Sequence, residues 1–249
     1  MSGHSKWSSI KHKKGAADAK RGKLFSKLAR AITVAARDGG GDTDGNPALA
    51  TAVQKAREAS MPKDKIQKAI DTGTGAGADG AAIERVVYEG YGPSGVAVLV
   101  EALTDNRNRA SAEIRFAFSS HGGSLGEPGS VAWIFEKKGA ISVDADRYDE
   151  DDLMAAIDAG AEDVREDGDR FTVLCEPTDL TAVREALEGA GVEIESATIA
   201  TEPKSTVELK GHDAERLLKL IDALDEQDDV DEVFANFDIP EDVLEKLAA

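Results

Sequence analysis

The stretch GAISVDADRYDEDDLMAAIDAGAEDVREDGDRFTVLCEPTDLTAVREALEGAGVEIESATIATE, residues 139–202, decides the fold. Its apolar residues alternate with polar ones in Ala140–Val143, Asp163–Arg165, Arg170–Glu176 and Glu193–Ile199, the two-residue period of half-buried strands. Between them, Glu150–Ala159 and Leu180–Ala190 space their apolar positions by three and four, the period of an amphipathic helix. The order is therefore βαββαβ, a split ferredoxin-like unit complete in itself. Upstream, Ile83–Glu89 and Gly95–Thr104 read as strands joined by the turn Gly90-Tyr91-Gly92-Pro93. A helix over Arg107–Ser120 and a strand over Ser130–Phe135 follow. Downstream, strand Thr206–Leu209, helix His212–Leu224 and strand Val230–Ala235 are too few to bury a core alone. They are expected to return to the earlier strands, which makes residues 139–202 an insertion.

The first 78 residues read as helical. Leu24, Phe25, Leu28, Ile32 and Ala35 mark one face of a helix within Asp18–Arg37, which Gly39-Gly40-Gly41 ends. Asn46-Pro47 opens a second helix, Asn as N-cap and Pro at the first helical position, with Leu49, Val53 and Ala56 as its buried stripe. Met61-Pro62 interrupts it, and Ile66, Ala69 and Ile70 carry a third helix to Gly73. The glycine-rich run Thr72–Gly80 has the composition of a flexible linker. The expected architecture is a multidomain α+β protein. A three-helix domain (1–78) precedes a discontinuous α/β domain (79–138 and 203–249), into which a ferredoxin-like domain (139–202) is inserted.

Charge separates these units. The chain of 249 residues carries a net −18. Residues 1–70 hold 15 Lys+Arg against 6 Asp+Glu, a net +9, whereas residues 140–249 hold 9 against 33, a net −24. A basic end on an acidic body points to a directed electrostatic contact, with nucleic acid the partner that rewards it. One cysteine, Cys175, rules out an internal disulfide and suits a reducing compartment. The polar, lysine-bearing start lacks the apolar core of a secretory signal, and no apolar run is long enough for a membrane span. A cytoplasmic location is expected, with no membrane contact.

Lys6, Lys11, His12, Lys13, Lys14, Lys20, Arg21, Lys23, Lys27 and Arg30 form the first candidate site. At 100° per residue, Lys20, Lys23, Lys27, Arg30 and Arg37 share one sector of a helix whose apolar residues occupy another. Such a stripe binds phosphates and releases condensed counterions; the alternative is a solvated helix face. Trp7, among these lysines, is suited to stack on an unpaired base. In Thr104-Asp105-Asn106-Arg107-Asn108-Arg109, Asp105 or Asn106 is a natural N-cap, and Arg107 and Arg109 in the first turn oppose the helix dipole. Their presence suits a visiting phosphate, or else they turn out to acids such as Glu101 or Glu113. The loop His121–Gly129 is rich in glycine but lacks the spacing of a phosphate-binding loop, and a structural turn is expected. The four histidines and Cys175 have no ligand spacing, no nucleophile motif appears, and the acidic runs Asp149–Asp152 and Asp225–Glu232 read as solvated faces. No catalytic residue, cofactor or metal is expected, and the protein reads as non-enzymatic.

Seven segments carry a resemblance. They are Gly3–Trp7, Lys11–Lys14, Asn46–Leu49, Met61–Asp64, Tyr88–Pro93, Thr104–Arg109 and Gly126–Trp133. In this order they resemble the YebC/PmpR family, which includes the mitochondrial translational activator of cytochrome c oxidase. Ser60 stands where that family often has Asn. The resemblance implies a helical N-terminal domain and two α/β domains, one inserted in the other. It implies a regulator of gene expression, described either as a DNA-binding transcriptional regulator or as a ribosome-associated translation factor contacting ribosomal RNA or tRNA. The residues show no compact recognition-helix signature. The acidic half is repelled by phosphate and suits basic proteins, a combination that ribosomal RNA with its proteins offers.

Overall fold

The computed structural model describes residues 7, 18–75, 83–167, 169–240 and 243, with the side chains of 18–20 and 167 left aside. From Asp18 onward three helices follow, α1 (Asp18–Gly39), α2 (Pro47–Glu58) and α3 (Lys63–Gly73). Ile32, Ala36, Leu49, Val53, Ala56, Met61 and Ile66 close their common core. Asn46 caps α2 as its sequence position implies: Oδ1 accepts from Leu49 N–H at 3.1 Å, while Nδ2 donates to Ala35 O and Gly40 O at 2.8 and 2.9 Å. One buried carboxamide thus ties the α1 terminus to the α2 start. Replacing Asn46 with Ala is expected to cost about 2 kcal/mol, through the cap and two stranded carbonyls. Urea denaturation checks this, and a change below about 0.5 kcal/mol would show that neighbours take over those bonds. Gly73 is required by packing, since a Cβ there would lie 2.3 Å from Thr33 O of α1. Ser60, after α2, has φ +59°. Asn tolerates that left-handed conformation better than Ser.

The first sheet is antiparallel with strand order β3-β1-β2-β9, built from β1 (Glu84–Tyr91), β2 (Ala97–Thr104), β3 (Ser124–Leu125) and β9 (Val230–Ala235). Helices α4 (Arg107–Ser120) and α7 (Gly211–Asp225) cover one face, where Val98, Val100, Ile114, Phe118, Leu217 and Ile221 pack together. The second sheet has order β5-β6-β4-β7 and is also antiparallel. Its strands are β4 (Phe135–Asp144), β5 (Ala161–Asp167), β6 (Arg170–Cys175) and β7 (Ile194–Pro203), with α5 (Met154–Asp158) and α6 (Leu180–Gly189) on one face. Numbered within the unit this is 2-3-1-4, the ferredoxin-like order, as the alternation over residues 139–202 implies. Among the described residues a short parallel pair, β8 (Val207–Glu208) with β10 (Phe237–Asp238), comes last. The chain leaves the first sheet after β3, forms the second, and returns through α7 to place β9 beside β2.

Three segments differ from their sequence reading, the first being Glu150–Ala159, where a 3-10 turn at Asp151–Leu153 precedes the five-residue α5. Ser130–Phe135 is not a strand: Ala132–Ile134 is a 3-10 turn, because the N–H groups of Gly129, Val131 and Ala132 bond the Glu89 carboxylate rather than a neighbouring strand. The strand expected at 140–143 instead starts at Phe135, and residues 135–138 pair with 200–203 of β7. Phe135 packs with Ala97, Leu99, Val131 and Ile134 under the first sheet, so the β4/β7 pair links both sheets. Most of the expected 72–80 linker lies outside the described residues. Among those described, no helix is long and apolar enough to cross a membrane.

Candidate nucleic-acid interface

The cationic sector of α1 forms as its spacing requires, but it faces the protein's own acidic run. Lys23, Lys27 and Arg30 stand one and two turns apart, and opposite them lies the turn from α7 into β9. Lys27 Nζ donates to Asp225 O, at the C-terminal end of α7, and Arg30 Nη1 donates to Asp228 O. Cations are favoured there because the last helical carbonyls are unpaired and carry the negative end of the dipole. Arg30 also reaches Asp229 Oδ1 at 3.0 Å, and Lys23 lies 3.9 Å from Asp228 Oδ1. From α2, Lys55 meets Glu232 at 2.7 Å. Burial lowers the Lys27 ammonium below the usual lysine range despite Asp225, Asp231 and Asp228. For Lys55, burial acts the same way but Glu232 outweighs it and the shift is upward. Burial, together with Glu232, pushes the Asp231 carboxyl up to about 6, against Arg85 and Lys55.

Asp229 is the centre of this contact. Its side chain is 2% exposed. It accepts from Arg109 Nη2 at 2.7 Å and Nε at 3.1 Å, and from Thr104 Oγ1 at 3.0 Å, besides its ion pair with Arg30. Its carbonyl accepts from Leu103 N–H at 2.7 Å. Arg109 is further bound to Asp105 at 2.8 Å, which holds that carboxyl below its usual range, and the bonds to Asp229 and Asp105 raise the guanidinium. Arg107 turns outward to Glu84 at 2.9 Å. Asn106 is the N-cap, its side chain accepting from Arg109 N–H at 3.1 Å. Of the two readings of these arginines, the ion-paired one describes the structure, with Glu84, Asp105 and Asp229 as partners rather than Glu101 or Glu113.

The other expected positions divide as follows. Trp7 is 5% exposed, packs in the core of the first sheet and donates Nε1–H to Asp222 Oδ1 at 2.8 Å. The ring is buried against α7 and not offered to a base, a correction that follows from its apolar surface outweighing the lysines around it in sequence. Lys6, Lys11, His12, Lys13 and Lys14 lie outside the described residues, as does the side chain of Lys20. Arg37 donates to Ile83 O and pairs with Asp38. The acidic run Asp225–Glu232, expected to be solvated, is the partner of the basic lobe. Its signal in the sequence was the charge imbalance itself, since opposite nets of this size attract within one chain as readily as between chains.

The loop after α4 is structural, as expected. Glu89, 7% exposed, accepts from Gly129, Val131 and Ala132 N–H at 2.6, 2.7 and 2.7 Å. Burial would raise this carboxyl, yet the three donors outweigh it and hold it below the usual range. The loop displays Trp133, 68% exposed, with its indole N–H on Ser130 O. Cys175 is fully buried, as its apolar strand implied, and burial pushes its thiol up. Among the described residues no three His, Cys, Asp or Glu are grouped to hold a metal ion.

Comparison with known proteins agrees with the architecture. Residues 5–76 match the TACO1/YebC protein N-terminal domain, and residues 83–237 match the TACO1/YebC second and third domain. The chain is 61% identical to a probable transcriptional regulatory protein of Rubrobacter xylanophilus over 249 residues, 100% of both chains. It is 52% identical to one from Mycolicibacterium gilvum over 250 residues, again 100% of both. The crystal structure of a conserved hypothetical protein from Aquifex aeolicus superposes with a TM-score of 0.76 at 48% identity, covering 90% of this chain and 93% of that one. With both family profiles matched in order along nearly the whole chain, and full-length relatives above half identity, this protein belongs to the TACO1/YebC family.

Proposed function

We propose that this protein is a non-enzymatic regulator of gene expression that binds nucleic acid through its basic N-terminal lobe, in transcription as a DNA-binding protein. The observation that carries the reading is the charge partition, +9 over residues 1–70 against −24 over residues 140–249. Relatives named probable transcriptional regulatory proteins support the regulatory role. Lys23, Lys27 and Arg30 are engaged by the acidic turn, so their contribution to binding requires that turn to yield to phosphate. The N-terminal lysines Lys6, Lys11, Lys13 and Lys14, with His12, belong to the proposed contact as well.

A second reading, action on the ribosome, is favoured by the acidic body. Phosphate repels it, while a surface of RNA and basic protein accommodates both ends of the molecule. Salt dependence tests the shared part. Binding to duplex DNA is expected to weaken log-linearly with salt, by roughly 0.9 per phosphate contacted, and to single-stranded RNA by roughly 0.7. The absence of salt-sensitive binding to either polymer would overturn the proposal. Gradient fractionation of lysate then separates the readings. Co-migration with ribosomes that RNase abolishes favours translation, and RNase-insensitive retention on DNA favours transcription.

A further inference from the structure

Roughly a third of a turn around α1 from its engaged face, the helical lobe presents a second surface. There α1 and α3 frame a shallow groove of about 350 Å³. Phe25, Ala29, Met61 and Ala69 make its floor, and Lys65 and Lys68 stand on its rim. At one end Gly22 leaves open space where a side chain would stand. The groove is preformed, because Thr33 Oγ1 bonds Ala69 O across the two helices at 3.1 Å and Gly73 allows their close approach.

Charge distinguishes this face. Most lysines and arginines of the body are ion-paired, as Lys137, Lys138, Arg147 and Arg165 are. Arg21, Lys63, Lys65 and Lys68 form no ion pair among the described residues, although α3 also carries Asp64 and Asp71. Lys65 lies 5.3 Å from the centre of the Phe25 ring, where the π face holds it over the groove. The side-chain hydroxyls are already committed: Ser26 donates to Gly22 O and Thr72 to Lys68 O. The ammonium groups are therefore the side-chain donors offered to a ligand. Such a surface engages phosphate and has no means of reading base edges. A furrow of about 350 Å³ holds part of one strand, whereas a duplex is too wide to enter it and could only rest on its rim.

We propose that the α1/α3 groove seats single-stranded nucleic acid without sequence preference, Lys65 and Lys68 contacting phosphates and Phe25 holding Lys65 over the groove. The assignment rests on the nucleic-acid reading above and moves its principal contact from the α1 stripe to this second face. Fluorescence anisotropy of the full chain with labelled 12-nucleotide oligouridylate and oligothymidylate tests it, the two arms distinguishing RNA from DNA. The double variant Lys65→Glu/Lys68→Glu is expected to lose tenfold or more in affinity and to flatten the salt slope by roughly 1.4, two single-strand contacts. Lys65→Gln/Lys68→Gln is expected to follow it in weaker form. Wild-type affinity and slope in both variants would overturn the groove while leaving the broader reading intact. No binding by the wild-type chain would overturn that reading and the groove with it. In the unaltered protein, either oligonucleotide is expected to slow acetylation of Lys65 and Lys68 relative to Lys204 and Lys210. Equal rates at all four would also refute the assignment.

Discussion

Asp229→Ala is expected to destabilise the protein by about 2–3 kcal/mol, through the lost hydrogen bonds between a buried carboxylate and charged donors. The carboxylate is 2% exposed and serves Arg109, Thr104 and Arg30 together. Its loss leaves Arg109 to Asp105 and Arg30 to Asp228 O, and unties α1, α4 and β9 from one another. Asp229→Asn keeps the shape and one acceptor but removes the charge, so an intermediate loss is expected. Urea denaturation with secondary-structure and tryptophan signals measures both. Because Arg30 belongs to α1, hydrogen exchange in α1 is expected to rise more than in α6, which is remote from the contact. Arg109→Ala, at an exposed side chain, is expected to cost less than Asp229→Ala, and the double variant less than the sum, since either change breaks the same network. Arg107→Ala, with its exposed partner Glu84, is expected to change stability by less than about 1 kcal/mol. Additive losses at Arg109 and Asp229 would refute the network.

Glu89→Gln is expected to cost about 3 kcal/mol, through charge-assisted bonds to three backbone N–H groups that a carboxamide cannot replace. The amide nitrogen would face at least one N–H donor, leaving a buried clash of donors. The loop 129–133 should loosen, read as a shift in Trp133 fluorescence. The carboxyl lies below its ordinary value of 4.5 in the folded chain. A group depressed on folding stabilises above its unfolded pKa and loses that contribution as pH falls through the folded one. Wild-type protein should therefore lose part of its stability below about pH 4.5, and Glu89→Gln should lack that part of the acid dependence. Parallel pH profiles for the two proteins would show that Glu89 is not the group responsible.

The secondary structure was legible wherever side chains report a local period. The alternation in Arg170–Cys175, the three-and-four spacing in α7 and the Asn46-Pro47 start of α2 depend on neighbours a few residues away, and the structure places them as read. Ser130–Phe135 failed that test because its N–H groups are claimed by Glu89, some forty residues earlier in the chain. An apolar run cannot announce a distant carboxylate.

The same distinction governs the candidate site. The basic and acidic halves, the helix that carries the stripe and the ferredoxin-like order of the inserted unit all follow from composition and periodicity. Which cations remain open to a partner does not. Lys27 and Arg30 look as available as Lys65 and Lys68 along the chain, and only the return of the chain through α7 brings Asp225, Asp228 and Asp229 against the first pair. Trp7 follows the same rule, because its place in the core depends on α7, more than two hundred residues away. Local periodicity is written in neighbouring residues, whereas the pairing of charges depends on distances through space that long-range packing alone sets.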